Sequence, residues 1–394
     1  MSQQLSREYP HLQFKKQWSL NNSDYFILGQ CDSLIKAINN TPIDPKYYEQ
    51  LMMVALIKGA QATTAIEGNT LTEDEILKVK DGEELPPSKE YQAIEVRNVL
   101  EAFNALLQQV LLGEKEYLIT PELLLKFHKM VGKELGEHFE AIPGQFRSGS
   151  NNVIVGKYRG AEAVDVEHLI ENFCTFLKEE FRFESGKHTF IEVIIEAIVA
   201  HVYIEWIHPF GDGNGRTGRL VEFYILLRGG LPDIALHILS NHYNFTRTEY
   251  YRQLQKSSES RDLTEFIRYA LVGLRDGLAK TLNTIQQCQI EITWMKFIYD
   301  KFAEVPLNNK EDVFKRRRNL ALEMPLNKKV KISEIPLLTM KLAHMYSAIS
   351  EKTLARDVDE LIRLEILKKD ADSYEANIVL LNRMFAKNKA SIMK

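Results

Sequence analysis

The sequence is poor in cysteine, in unbroken apolar runs and in any excess of one charge, and each shortage closes off a class of protein. Its three cysteines, Cys31, Cys174 and Cys288, are odd in number, far apart and not spaced as ligands, which excludes a disulfide framework and a cysteine metal site and suits buried, reduced thiols. Lys+Arg number 50 and Asp+Glu 54, a net charge of -4, so the chain as a whole has no pull toward nucleic acid or anionic membrane and any such attraction must be local. The opening "MSQQLSREYPHLQFKK" has no apolar core of signal-peptide length. The most apolar stretch, "FIEVIIEAIVAHVYIEWI", is cut by Glu192, Glu196 and Glu205, which argues against a membrane span. These absences together point to a soluble cytoplasmic protein with no membrane partner.

What is present is helical periodicity. With 394 residues there is length for two or three domains and ample apolar content for a core. Apolar residues recur at three and four spacing between charged faces, and β-branched runs are few, so the fold class is mainly α. One helix is expected from Asp44, a cap, and Pro45, suited to the first helical position, to Gly68, with Glu67 in its last turn. "TEDE" at 72–75 is a capping box for the next, and a longer acidic helix is expected from Glu90 to Leu111. From Gly144 to Gly160 the glycines and the Val153, Ile154, Val155 run predict a β-hairpin flap. The run Phe190 to Ile207 is too long for a strand and has Glu192 and Glu196 at i, i+4, so it reads as a buried helix ending at His208. Pro209 stops it, and "RTGRLVEFYILLRGG" opens another helix that Gly229 and Gly230 terminate.

Between those two helices lies "HPFGDGNGRTGR", residues 208–219. Gly213, Gly215 and Gly218 match G-x-G-x-x-G, with Asp233 at about the dinucleotide spacing, but that fingerprint needs a preceding strand. Gly213 and Gly218 also fit the start of a P-loop, yet Arg219 and Leu220 stand where Lys and Ser/Thr are required. What the residues permit is an anion cradle: glycines let backbone N–H groups converge and the following helix presents its positive end. Arg216 and Arg219, three apart, project as neighbours and can clamp separate phosphates. Asp212 amid that positive potential suits Mg²⁺ held together with phosphate oxygens. His208, fixed by Pro209 and a core-facing Phe210, is the titratable base. Taken singly these are an ordinary helix-end histidine, a turn and a wet charged face. Together, in this order, they are hard to obtain by accident.

The stretch resembles the Fic (filamentation induced by cAMP) family, whose signature H-x-F-x-[DE]-G-N-G-R-x-x-R it fits at every fixed position, and the likeness extends from about Asp44 to about Gly277. The resemblance implies a protein adenylyltransferase that moves AMP from ATP to a Ser, Thr or Tyr hydroxyl of a target protein or of itself, with release of pyrophosphate. It implies His208 as the base, Asp212 as the Mg²⁺ ligand, and Gly213, Asn214 and Gly215 as the anion hole within a nucleotide-contacting run that continues through Arg216, Thr217, Gly218 and Arg219. Arg219 would take the γ-phosphate, and the 144–160 hairpin would register the target by strand addition. "TTAIEG" resembles the inhibitory pattern [ST]-x-x-x-E-[GN] of the subclass with an N-terminal inhibitory helix, which makes Thr63 and Glu67 regulatory, Glu67 by pairing with Arg219. "TEYYRQLQ" is similar to the family's adenine-side helix, so Tyr250 and Tyr251 are candidate nucleotide neighbours.

From Lys310 to Lys394 there are 18 Lys+Arg against 12 Asp+Glu, a local +6 that leaves -10 for the remainder. The pattern from Ile335 onward reads as helix, turn, helix and two strands around a polar turn, similar to a winged helix with Glu351 to Leu364 in the recognition position. Such modules bind DNA or protein, and Asp357, Asp359 and Glu360 on that helix weigh against DNA. The expected domains are an N-terminal segment 1–43, a Fic domain 44–303 with the inhibitory helix at about 44–68, and a winged-helix-like module 310–394. The rival functions are an ATP-sensing DNA-binding regulator without turnover, which would not need His208, and a bifunctional enzyme that also removes AMP. The target protein and self-association stay open.

Overall fold

The computed structural model describes residues 9–113, 118–149, 153–155, 158–181, 189–305 and 311–379. The chain forms two compact units, Met1–Asn283 and Thr284–Lys394. The division falls inside the helix Thr264–Ala303, earlier than the boundary near 310 expected from composition. The reason is apolar: Trp294, Ile298 and Phe302 of that helix belong to the core of the second unit, with Leu320, Leu354, Val358 and Leu361.

In the first unit the helices are α1 (Asn22–Asn40), α2 (Pro45–Ala65), α3 (Glu73–Lys80), α4 (Glu90–Leu111), α5 (Pro121–Val131), α6 (Val166–Glu180), α7 (Phe190–Ile207), α8 (Asn214–Arg228), α9 (Ile238–Phe245) and α10 (Arg247–Ser260), followed by α11 (Thr264–Ala303). Helix α1 lies in the segment for which no helix was expected, although Asn21 and Asp24 form a capping box at its start. Helix α2 begins at Pro45 under an Asp44 cap but ends at Ala65, so Glu67 sits in the turn beyond it, where Gly68 has φ +103°. Beyond its first turn, from Val193 on, helix α7 is buried nearly all round, as its aliphatic content requires, and packs along α8, with α4 and α5 against α8. Each of its fully buried Ile and Val side chains contributes about 1.5–3 kcal/mol. Helix α8 starts at Asn214, two residues before the expected Arg216.

The flap is smaller than expected. Strands β1 (Ile154–Val155) and β2 (Tyr158–Arg159) pair antiparallel, Ile154 opposite Arg159 and Val155 opposite Tyr158. The rest of the Gly144–Gly160 stretch is turn and irregular chain, apart from 150–152 and 156–157, which lie outside the described residues. A strap ahead of α1 holds this hairpin: His11 Nε2 meets the Tyr158 hydroxyl at 2.7 Å, and that hydroxyl donates to the Trp206 carbonyl.

The second unit contains α12 (Glu311–Glu323), α13 (Met340–Tyr346), α14 (Glu351–Arg363) and three antiparallel strands, β3 (Val330–Lys331), β4 (Leu367–Asp370) and β5 (Ser373–Ala376), in the order β3-β5-β4. Asp357, expected on the outer face of α14, is buried instead, where Arg316 Nε (2.6 Å), Arg317 Nε (2.9 Å) and the Tyr346 hydroxyl (3.2 Å) all donate to it. The exposed charges of α14 are then Glu351, Lys352, Arg356, Asp359 and Arg363.

Candidate active site

The site is the joint between α7 and α8. Helix α7 ends because His208 turns into the left-handed region (φ +53°, ψ +60°), a conformation that costs a non-glycine residue about 1–2 kcal/mol. That cost is borne by a dense set of contacts. Arg147 Nε donates to the His208 carbonyl at 2.7 Å, its Nη2 to the carbonyls of Ala161 and Ile207, and its own N–H to the Pro209 carbonyl at 3.0 Å. Phe210 stacks on the His128 ring at 3.7 Å between centroids, and His128 Nε2 lies 3.0 Å from the Asp212 carbonyl. Asn214 closes the loop: Phe210 N–H donates to its Oδ1 at 2.8 Å and its Nδ2 donates to the Phe210 carbonyl at 2.9 Å. Its side chain is therefore spent on loop shape. Gly213 opens α8 at φ +77°, with the Phe139 ring 3.0 Å from where a Cβ would lie, so only glycine fits.

His208 Nδ1 is 3.3 Å from the Glu205 carbonyl, which fixes the proton on Nδ1 and leaves the Nε2 lone pair available. Burial pushes its imidazole down to about 4, assisted by the Arg147 charge and opposed by the Glu205 carbonyl, Glu67 and Asp212. The ring is neutral at pH 7 and able to accept a proton.

Both signature arginines are engaged with carboxylates. Arg219, buried, donates from Nη2 to Glu67 Oε1 and to the Thr63 carbonyl (2.9 Å), while its Nε and Nη1 have no hydrogen-bond partner. Burial works to raise the Glu67 carboxyl, but the Arg219 charge and hydrogen bond, with Arg216 and His208 beyond, hold it below the usual carboxylate range. The Glu67 carboxylate lies directly over the first turn of α8: a Cβ on Gly215 would come within 2.1 Å of its Oε1. A carboxylate thus sits on the positive end of a helix beside a guanidinium, a seat that suits any anion. Arg216, buried, is shared between Glu95 Oε1 and Asp212 Oδ1, the latter at 2.8 Å. The Asp212 contacts from Arg216 and from Gly213 N–H both fall on Oδ1. Among the described residues neither of these contacts reaches its Oδ2, and one carboxylate together with phosphate oxygens is a donor set that would fit Mg²⁺.

The remaining sequence candidates are placed less directly. Thr217 is buried with its hydroxyl unpartnered, and Gly218 faces α7, where a Cβ would approach His201 Nδ1 at 3.2 Å. Thr63 contributes its carbonyl, its hydroxyl having no partner. Tyr250 is a core residue behind Arg219, its hydroxyl 2.9 Å from His201 Nε2, so it does not line an open surface. Tyr251 is partly exposed and donates to the Ile66 carbonyl at 3.3 Å, next to Glu67. Sequence reasoning missed Arg147, His128 and Glu95. Arg147 lay inside the expected flap, but nothing in its spacing revealed a partner some sixty positions on; Glu95 looked like one more acid on a helix's polar face.

Residues 118–226 match the Fic/DOC family. This segment is a Fic domain. Among curated relatives, the protein adenylyltransferase fic-1 of Caenorhabditis briggsae is 29% identical over 207 residues, 52% of this chain and 37% of the relative. The protein adenylyltransferase Fic of Aedes aegypti is 29% identical over 261 residues, 65% and 46%, and that of Drosophila ananassae 31% over 228, 56% and 40%. The matches thus take in less than half the length of these relatives. Among solved structures, a Fic family protein of Desulfovibrio desulfuricans G20 aligns with a TM-score of 0.56 at 19% identity, over 92% of this chain and 98% of the other. Fic-1 of C. elegans aligns at 0.54 and 23%, over 67% and 73%. The fold of the Fic domain, a mainly helical core with a small sheet, is common to them.

Proposed function

We propose that the protein is an adenylyltransferase that moves AMP from ATP to a Ser, Thr or Tyr hydroxyl of a protein, itself included, and that Glu67 restrains it. The observation that carries this reading is the Glu67 carboxylate seated over Gly215 and bound to Arg219, an internal anion in the place a terminal phosphate would take. The names of the curated relatives support the reaction class. His208 Nε2 takes the proton of the target hydroxyl as that oxygen attacks the α-phosphorus; the bond from the α-phosphorus to the oxygen bridging to the β-phosphate breaks, and pyrophosphate leaves. Arg219, once released, holds the γ-phosphate so that this bond lies in line with the attack. Asp212 would hold Mg²⁺, which when bound offsets the phosphate charge. The β2 edge beside Tyr158 would receive the target chain. Three cysteines with no disulfide among them are in keeping with a cytoplasmic setting, and among the described residues no helix is long and apolar enough to cross a membrane.

A second reading concerns the C-terminal unit alone. With Asp357 turned inward, α14 still exposes Glu351 and Asp359 beside Lys352 and Arg356, and Arg363 is paired with Glu360, so any contact of this unit with DNA phosphates would rest on few cations and would weaken with salt. The main reading is tested by mass spectrometry of the chain and of lysate proteins after incubation with ATP and Mg²⁺. A mass increase of one AMP is expected in wild type and not in His208→Ala.

A further inference from the structure

The restraint on Arg219 has a counterpart on Arg216 that the family signature does not contain. Glu95, in the interior of α4, binds Arg216 through Oε1 and receives Asn69 Nδ2 on Oε2 at 3.0 Å; the Tyr91 hydroxyl reaches Oε1 at 3.2 Å. Asn69 is two residues after Glu67, and it is fixed in its turn: its Nδ2 also donates to the Gln92 carbonyl at 3.0 Å, and Leu71 N–H donates to its Oδ1 at 3.0 Å. On the far side, the other end of the Arg216 guanidinium holds Asp212 Oδ1 at 2.8 Å, and the Phe139 ring lies 5.4 Å from the Arg216 Cζ. Asn69, Glu95 and Arg216 are all buried, so the Asn69–Glu95 and Glu95–Arg216 contacts are made away from water, where an oriented charge pair is worth most, while Asp212 at the end of the chain is partly exposed. The chain Asn69, Glu95, Arg216, Asp212 is continuous and hydrogen-bonded throughout.

We propose that Glu95 is a positioning residue of this site: through Arg216 it orients the Asp212 carboxylate for a divalent cation, and through Asn69 it ties that orientation to the turn that carries Glu67. Arg216 is then a strut, with both of its Nη groups occupied by carboxylates, and Arg219 alone is the guanidinium set free when Glu67 withdraws. A turn that moves Glu67 off Gly215 also moves Asn69, so release of the phosphate seat and adjustment of the cation ligand occur in one displacement. The inference rests on the nucleotide reading of the site given above, and its test is chosen to separate the two.

ADP binding to the full chain is measured by calorimetry over a Mg²⁺ series, with Mn²⁺ electron paramagnetic resonance as the direct readout of the cation. Glu95→Gln keeps an acceptor for Asn69 and removes the charge that orients Arg216. The Mg²⁺ midpoint for ADP binding should rise about tenfold, the size typical for loss of a residue behind a metal ligand, while ADP affinity at saturating Mg²⁺ changes little. Asn69→Ala leaves both carboxylates and Arg216 in place, and should raise the midpoint in the same direction and speed hydrogen exchange at the amides of 211–214, which Asn69 does not touch. If Glu95→Gln does not fold, Asn69→Ala decides the matter by both readouts. Unchanged midpoints and unchanged exchange in the folded variants would overturn the inference. A wild-type chain whose ADP binding ignores Mg²⁺ would instead contradict the nucleotide reading itself.

Discussion

Two arginines three residues apart on one helix each meet a glutamate, and the two meetings differ in kind. The Glu95–Arg216 pair is sealed, with side-chain exposures of 7% and 3%. In the Glu67–Arg219 pair the arginine is 1% exposed but the glutamate 32%. Glu95 comes from the second turn of a 22-residue helix; Glu67 comes from a turn beyond the end of one. A sealed pair on rigid elements fixes geometry, because breaking it would strand a charge out of water. A pair with one open side can be exchanged, since water or another anion can take over the guanidinium as the carboxylate leaves. On the proposed reading the same chemistry serves as strut in one place and as switch in the other.

The comparison has meaning for catalysis only if His208 does the chemistry between them, and the largest effect should come there. His208→Ala should lower AMP incorporation by about 10²–10⁴ with ATP binding retained; comparable rates would make both pairs ornaments of a binding site. Asp212→Ala, which removes the acid at the end of the strut, should flatten the response of AMP incorporation to Mg²⁺, read as initial rate against cation concentration. An unaltered Mg²⁺ response would place the cation elsewhere.

Stability separates the pairs next. Glu95→Ala should cost about 3–5 kcal/mol, as for a buried ion pair that loses one partner, whereas Glu67→Gly should cost less, because the glutamate side of that pair is open and water can take its place on the buried Arg219. Chemical denaturation of both variants checks the order, and equal losses would erase the distinction.

The pH dependence of the surrounding core follows from burial. His11, His128 and His208 are pushed down to about 4, and His201 and His237 to about 3, in each case chiefly by burial. A histidine whose folded value is depressed below its ordinary 6.5 contributes stability that is complete above 6.5 and is lost as pH falls toward the folded value. Glu205 and Glu222, raised by burial to about 7 and about 8, act oppositely and favour the fold more at low pH. His242 is likewise lowered by burial and Glu196 and Asp233 raised by it, so six histidines against four carboxyls give a melting temperature that declines between pH 6.5 and 4.5; a rise over that window would contradict the sign.

Truncation gives the smallest expected effect on the site. Residues 1–283 should fold with helical circular dichroism like that of the parent, while a cut at 309 leaves Trp294, Ile298 and Phe302 without their core and should aggregate. Equal behaviour of the two fragments would return the boundary to the composition shift near 310.

That boundary illustrates which parts of the molecule can be read without a structure. Helix α7 and the loop after it were legible because a long aliphatic run, a proline and a glycine cluster are local signals. The Thr72 capping box and the Asp44 cap were legible for the same reason. The signature residues could be assigned by resemblance, and the structure brings His208, Asp212, Arg216, Arg219 and Glu67 into one site. What escaped was long-range. Arg147 reaches the His208 carbonyl across 61 positions and Arg216 reaches Glu95 across 121, and no periodicity encodes such pairings. Asp357 misled because an acid on a helix is read as solvated until its two arginines and a tyrosine are seen.

On the proposed reading Glu67 is the movable member of the two pairs. Wild type and Glu67→Gly, both checked for folding, are incubated with labelled ATP and Mg²⁺, and AMP incorporation and AMP release from a pre-modified target are counted. The account predicts much greater incorporation by Glu67→Gly, with a smaller change in ATP affinity than in rate, and loss of AMP release if Glu67 also positions a water. Equal incorporation by the two proteins would contradict it, and would make Glu67 an ordinary helix-end acid.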